Sequence, residues 1–412
     1  MAIPVPLPYI ERFEKLAYGM FVHWGLYSQL GRGEWVKFIE KIPTPEYKKL
    51  KETFTAEKFN AKEIACLAKD AGMRYICLTT RHHEGFSLYD TRGLSDFDAV
   101  HSPAGRDLVA EFVEGCRLYD IIPFFYHTTL DWHQESYQKD FESYLDYLHK
   151  SVEILCTNYG RIGGLWFDGN WNKPDADWKE SRLYEIIRKH QPEAMIVNNT
   201  GLFEQGRVGH PEIDSITFEQ GTPSPMNRQG MPKYLAAEMS QTMNRHWGVG
   251  NNDFCYLSPK EIIENLCACR KVGANLLLNV GPTAQGQIPE YEVAALRRVG
   301  QWVKLNALPI YNGKPYQVHS TDNDFALKAE GKLYLFIRNL NIAGPSNVTL
   351  GEKCDTAKAF LGIKQRIKSC RWLDNNEPLS FTQNEDGLFC INATAFNYGS
   401  HLVIRVAEVE LA

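Results

Sequence analysis

The feature that constrains this chain most is a rhythm. From about residue 17 to 306, short apolar, β-rich runs alternate with amphipathic helical stretches. The runs are AYGMFVHWG (17–25), RYICLTTRHH (74–83), IIPFFYHT (121–128), GGLWFDG (163–169), AMIVNN (194–199), DSITFE (214–219) and ANLLLNVGP (274–282). Between them lie stretches with helical periodicity, at 61–72, 106–120, 141–160, 178–190 and 258–273. Continuous apolar runs of this length suit strands buried on both faces, and the helices supply the crossovers that parallel strands require. Seven or eight such units predict a (β/α)8-like TIM barrel, a fold of about 250 residues or more. An open doubly wound sheet is the competing topology, but no GxGxxG follows the first run.

Beyond about Ala307 the rhythm changes. Segments such as DFALKAE, KLYLFIRN, CRWLD and HLVIRVAEVEL alternate apolar with polar residues and are separated by the turn sequences AEGK, NEDG and NYGS. This pattern predicts a C-terminal antiparallel β-sandwich. The expected organisation is a barrel domain over 1–306 and a sandwich domain over 307–412. A chain of 412 residues is too long for one ordinary core and suits this division.

Charge and composition exclude several functions. The net charge is −5 with no block of like charges, so nucleic acid is not an expected partner. No apolar run approaches the ~20 residues that span a membrane, and the first twenty residues lack the basic start and apolar core of a signal peptide. Ten cysteines are scattered, many inside apolar runs, and none forms a CxxC pair. Buried thiols in a reducing compartment are the simplest reading, so the expected location is the cytoplasm. Oligomeric state is open, and a homo-oligomer is compatible with the sequence.

In a barrel, catalytic groups sit at the C-terminal ends of strands, where the βα loops converge. Six consecutive runs end in chemistry-bearing residues: His23 and Trp24; His82 and His83; Tyr126 and His127; Trp166 and Asp168; Asn198 and Asn199; Glu219. There is no HxH pair, HExxH helix, GxSxG elbow or phosphate-cradling glycine loop, so neither a metal site nor a serine esterase is expected. Carboxylates among indoles and imidazoles suit glycoside hydrolysis, in which one carboxylate attacks the anomeric carbon and one acid protonates the leaving oxygen. Asp168, between the apolar GGLWF run and Gly169, is the strongest candidate; the competing reading is a helix cap. Trp166 lies two residues earlier, on the same face of a strand. His82 and His83 are adjacent, so both reach one ligand only if the strand ends there. Glu34 and Trp35 sit on a loop after the first run.

These motifs carry a resemblance. FVHWGLYS with GEWV, TTRHHEGFSLYDT, YHTTLDW, GGLWFDGNW, AEMSQTMNRHWG and GANLLLNVGPTAQGQIP resemble glycoside hydrolase family 29, the α-L-fucosidases. The resemblance runs from about residue 10 through the C-terminal sandwich. It implies a retaining two-step mechanism without metal or cofactor, acting on fucosylated oligosaccharides. It places the nucleophile on Asp168 and fucose contacts on His23, Glu34, Trp35, His82, His83 and either Tyr126 or His127, with Trp166 along the wall. For the acid/base it favours Glu238, with Glu219 as the alternative. Many relatives carry an Arg after the fifth strand where this chain has Asn198-Asn199-Thr200, so that contact is missing or replaced. Two alternatives remain: an inactive fucose-binding relative, or a barrel glycosidase for another sugar.

Overall fold

A computed structural model describes residues 2–200, 202–349 and 355–412. The chain divides into two compact units, Met1–Leu257 with Ala274–Arg297, and Ser258–Gly273 with Arg298–Ala412. The division is not a single cut: helix Pro259–Val272 groups with the second unit, and helix Glu290–Leu305 carries the chain from one unit to the other.

The first unit holds a closed barrel of eight parallel strands in chain order. They are β1 Tyr18–Val22, β2 Tyr75–Arg81, β3 Ile122–Thr128, β4 Gly164–Asp168, β5 Met195–Asn198, β6 Ser215–Glu219, β7 Ala236–Gln241 and β8 Asn275–Val280. The barrel closes where β1 pairs with β8, Phe21 opposite Asn279. Seven strands coincide with the apolar runs. The eighth, β7, reads AAEMSQ and gives no apolar signal, because it carries Glu238 into the barrel interior. Among the described residues no helix separates β5 from β6 or β6 from β7, which is why the helical rhythm fades there.

Short polar residues start the helices where expected. Asn60 caps Ala61–Asp70, Asp107 caps Leu108–Leu118 and Asp140 caps Phe141–Asn158, each accepting from a backbone N–H of the first turn. Each such cap contributes about 1 kcal/mol. The barrel interior is aromatic, built from Phe21, Tyr75, Phe124, Tyr126 and Trp166, with Phe13 of the N-terminal helix Pro8–Glu14 packed into the same cluster. Gly19 is required by this packing: a Cβ there would lie 2.4 Å from the Tyr75 ring.

The second unit is a β-sandwich of antiparallel sheets. One sheet orders β10 His319–Ser320, β13 Thr356–Leu361, β16 Leu388–Ala393 and β15 Phe381–Gln383. The other orders β14 Ile367–Trp372, β17 Arg405–Leu411, β12 Lys332–Ile337, β11 Phe325–Ala329 and β9 Lys314–Tyr316. Phe360, Phe389 and Ile391 of the first sheet share a core with Leu333, Leu335, Trp372 and Val409 of the second. Among the described residues, no helix is long and apolar enough to cross a membrane.

Candidate active site

The strand ends of the barrel surround a pocket of about 240 Å³. Asp168, the last residue of β4, faces it. Gly169 follows at φ +120°, and a Cβ there would lie 2.6 Å from the Leu130 nitrogen. That turn, open to glycine, brings Trp171 back over the carboxylate, where its Nε1 donates to Asp168 Oδ1 at 2.8 Å. Tyr126 Oη donates to Oδ2 at 3.3 Å, and His83 Nε2 stands 3.4 Å from the same oxygen. Burial alone would raise the Asp168 carboxyl, but His83, Trp171 and Asn199 outweigh it and hold it below its ordinary value. Asp168 is therefore an ionised carboxylate at neutral pH.

Glu219 ends β6 and lines the same pocket. Burial, and then the charge of Asp168, push its carboxyl up to about 7. One residue links the two acids. Asn199 Nδ2 donates to Asp168 Oδ1 at 3.3 Å and to Glu219 Oε2 at 2.5 Å. Its Oδ1 accepts from Thr217 Oγ1 at 3.0 Å, which fixes the amide with its nitrogen toward the carboxylates. The two carboxylate oxygens thus lie within about 6 Å of each other.

Histidine orientation follows from similar chains of bonds. Asn279 Nδ2 donates to the Trp247 carbonyl at 2.7 Å, so its Oδ1 accepts from His23 Nδ1–H at 2.6 Å. His23 Nε2 is left as an acceptor toward the pocket, and burial lowers the ring to about 3, so it stays neutral. The Thr128 hydroxyl donates to the Leu130 carbonyl and accepts from His83 Nδ1 at 2.7 Å. His82 Nδ1 is buried without a hydrogen-bond partner among the described residues, and burial holds its ring well below the usual imidazole range. Both histidines line the pocket because β2 stops at Arg81, after a register shift between Thr79 and Arg81.

Aromatic rings form the walls. Tyr126 and Trp166 stack inside the barrel at 5.8 Å, Trp247 lies 5.0 Å from His23, and Trp35 stacks on Trp171 at 5.9 Å. Such a pocket combines an ionised carboxylate, a carboxyl that keeps its proton up to about pH 7, the neutral imidazoles of His23 and His82, and flat apolar faces. It can attack an electrophilic carbon, protonate a departing oxygen and read hydroxyl groups.

A family model described as "Alpha-L-fucosidase" matches residues 6–308. The chain belongs to the α-L-fucosidase family. Tissue alpha-L-fucosidase of Mus musculus is 29% identical over 345 residues, covering 77% of this chain and 74% of the relative. The structure of alpha-L-fucosidase isoenzyme 1 from Paenibacillus thiaminolyticus superposes with a TM-score of 0.83 at 31% identity, over 98% of this chain and 99% of that one. Thermotoga maritima alpha-fucosidase, solved in complex with a mechanism based inhibitor, gives 0.75 at 25% identity over 99% and 97%. The fold and the enzyme class, a glycoside hydrolase of this family, match the resemblance read from the motifs.

The residues singled out from sequence fall into two groups. His23, Trp35, His82, His83, Tyr126, Trp166, Asp168 and Glu219 line the pocket together. Three others lie outside it. His127 alternates to the far side of β3, where its Nδ1 bonds the Thr128 carbonyl and its Nε2 meets Tyr89 Oη at 3.4 Å. Tyr126 is therefore the pocket residue of that pair. Glu34 spends one oxygen on the backbone N–H groups of Trp247 and Gly248, at 3.0 and 2.8 Å, and so holds the loop that presents Trp247. Glu238, favoured from sequence as the acid, lies deeper in the barrel, with one oxygen accepting from Tyr75 Oη at 2.5 Å and the other from Trp166 Nε1 at 2.8 Å.

Trp171 and Trp247 line the pocket and Asn199 bridges its two acids, and the sequence assigned none of the three a role. The two tryptophans were visible inside the GNW and RHWG motifs. The bridging position of Asn199 had no signal beyond its place at a strand end.

Proposed function

We propose that the protein is a retaining exo-α-L-fucosidase that removes terminal α-L-fucosyl residues from oligosaccharides or glycoconjugates. The observation that carries the reading is the pair Asp168 and Glu219, joined by one amide that brings an oxygen of each within about 6 Å of the other, with Asp168 held below its ordinary value and Glu219 raised to about 7. A separation of about 5–5.5 Å between carboxyl groups is the retaining arrangement, whereas inverting enzymes need about 6.5–9.5 Å to admit a water. A mechanism-based inhibitor bound to the Thermotoga maritima relative supports the same chemistry.

Asp168 attacks the anomeric carbon while Glu219 gives its proton to the glycosidic oxygen, and the aglycone leaves as an alcohol. Glu219, now ionised, takes a proton from water as the water attacks the fucosyl ester of Asp168. Fucose departs with its configuration retained and both carboxyls return to their starting states. We assign the acid/base to Glu219 rather than Glu238, because a proton donor must reach the leaving oxygen and both oxygens of Glu238 are occupied beneath the pocket floor. His23 Nε2 accepts from a sugar hydroxyl; His82 and His83 supply further polar contacts. Trp35, Trp166 and Trp247 provide flat faces for the apolar side of the ring and its methyl group.

The test is turnover of an aryl α-L-fucoside followed by NMR from the first seconds. The α-anomer of fucose appearing first supports the reading. Initial β-fucose, or binding without turnover, overturns it.

A further inference from the structure

The barrel is also hollowed at the end opposite the active-site pocket. A cavity of about 420 Å³ lies where β3, β4 and β5 begin, with Ile122, Gly163 and Met195 in its lining. Gly164 and Asp168 are four residues apart on β4, so at about 3.3 Å per residue the two ends of that strand stand about 13 Å apart. A molecule held here does not touch the two active-site carboxyls. Catalytic groups of such barrels gather at the C-terminal face, so a cavity at the N-terminal face has a role other than turnover.

The N-terminal helix Pro8–Glu14 closes one side. Tyr9, Arg12 and Phe13, at i, i+3 and i+4, share one face of that helix, and all three line the cavity. Phe13 and Phe124, both buried with ring centroids 5.8 Å apart, and buried Met195 supply its apolar surface.

The charged lining is unbalanced. Arg12, Arg117 and Arg161 are there with only Asp120 and Glu193. Glu193 gives one oxygen to Arg161 at 2.6 Å and the other to Arg12 at 3.1 Å, so one carboxylate answers two cations. The Asp120 side chain is 92% exposed and pairs with Lys69 at 3.6 Å. Arg117 Nη2 donates to the Tyr159 carbonyl at 2.5 Å, and among the described residues Arg117 has no ion pair. Gly160, at φ +67°, leaves that guanidinium room, since a Cβ there would lie 2.6 Å from Nη2. A chain of net charge −5 thus keeps a cationic rim around an apolar hollow.

We propose that this cavity is a binding site, separate from the active site, for a small amphipathic anion: an apolar ring or short acyl chain that carries one carboxylate or sulfonate. The apolar body lies against Phe13, Phe124 and Met195, and the head meets Arg117 at the rim. A guanidinium suits such a head, because its N–H groups can pair with two oxygens at once. Size agrees, since cavities that enclose a small ligand run from about 300 to 1,000 Å³. A neutral sugar would leave the apolar surface and the unpaired guanidinium unanswered, and a cation would be repelled.

The probe is 8-anilinonaphthalene-1-sulfonate, an amphipathic anion that reports apolar surfaces by fluorescence. The native protein binds a single probe molecule per chain, decanoate displaces it, and decanol at the same concentration does not. Two variants, Arg117→Met and Ile122→Trp, remove the head contact and fill the hollow, each checked for an unchanged melting temperature. In at least one folded variant, probe affinity falls about tenfold or more, the scale of a lost hydrogen bond to a charged group. Aryl α-L-fucoside kinetics stay within about twofold of wild type, and excess fucose leaves the probe bound. Absence of binding to the native protein, displacement by fucose, equal displacement by decanol, or full affinity in the folded variants overturns the proposal.

Discussion

Asp168 and Glu219 are joined through a single nitrogen, Asn199 Nδ2, at 3.3 and 2.5 Å. Two carboxyls this close cannot both ionise without mutual cost, and the shared donor sits where the negative charge is greatest. The charge already on Asp168 is part of what keeps the proton on Glu219.

The pH profile follows. The donor must hold its proton, and Glu219 releases it near pH 7, so kcat/KM should fall as pH rises through about 7. The acid limb should lie below the ordinary carboxylate range, because Asp168 is held below it and must stay ionised. A kcat/KM profile on an aryl fucoside whose cleavage needs acid assistance checks both limbs.

Asn199→Ala removes the shared donor. The bond from Asn199 favours the ionised form of both acids, so its loss raises both. The basic limb should move to higher pH and kcat/KM should fall about tenfold or more, the scale of a lost hydrogen bond to a charged group. A basic limb that stays in place would show that Asn199 does not set the protonation of Glu219.

Glu219→Ala and Glu238→Gln separate the two candidate acids. Glu219→Ala should lose several orders of magnitude on substrates with poor leaving groups, and azide should restore part of the activity on activated aryl fucosides by taking the vacated space. Glu238→Gln replaces one acceptor by a donor facing Tyr75 Oη or Trp166 Nε1, and should cost about 1–3 kcal/mol of stability. Its kcat should change little. Thermal melting and azide kinetics on both variants distinguish these roles.

Stability should also depend on pH. Burial raises Glu238 and Glu219 to about 7 and Glu292 to about 8. A carboxyl whose folded-state value exceeds its unfolded value contributes fully below the unfolded value, and that contribution is lost as pH rises through the folded one. Melting temperature should therefore decline between about pH 4.5 and 8, and Glu292→Gln should flatten the decline.

The barrel was legible because buried parallel strands must be apolar, and seven of eight are. The exception, β7, turns Glu238 inward, so hydrophobicity could not mark it. The same strand explains how the two candidate acids come to lie at different depths. Thr217 pairs with Glu238 and Glu219 with Ser240, so Glu238 lies two residues below Glu219 in the barrel. At about 3.3 Å per residue that is some 6–7 Å, enough to place it under Trp166 instead of at the pocket mouth. Such depth is a matter of register, which a motif does not encode. The choice between Tyr126 and His127 likewise depends on which side of β3 faces inward. For His82 and His83 the deciding fact is where β2 stops. Asp168 needed none of this, since an acid closing an apolar run and followed by glycine can only emerge at a strand end.

The claim on which the rest depends is that Asp168 becomes covalently bonded to fucose. Inactivation with a 2-fluoro-fucosyl fluoride, followed by intact-mass measurement and peptide mapping, tests it directly. The expected result is one fluorofucosyl group per chain, on Asp168, and none in Asp168→Ala. A label on another residue, or turnover that continues in Asp168→Ala at near wild-type rate, would contradict it.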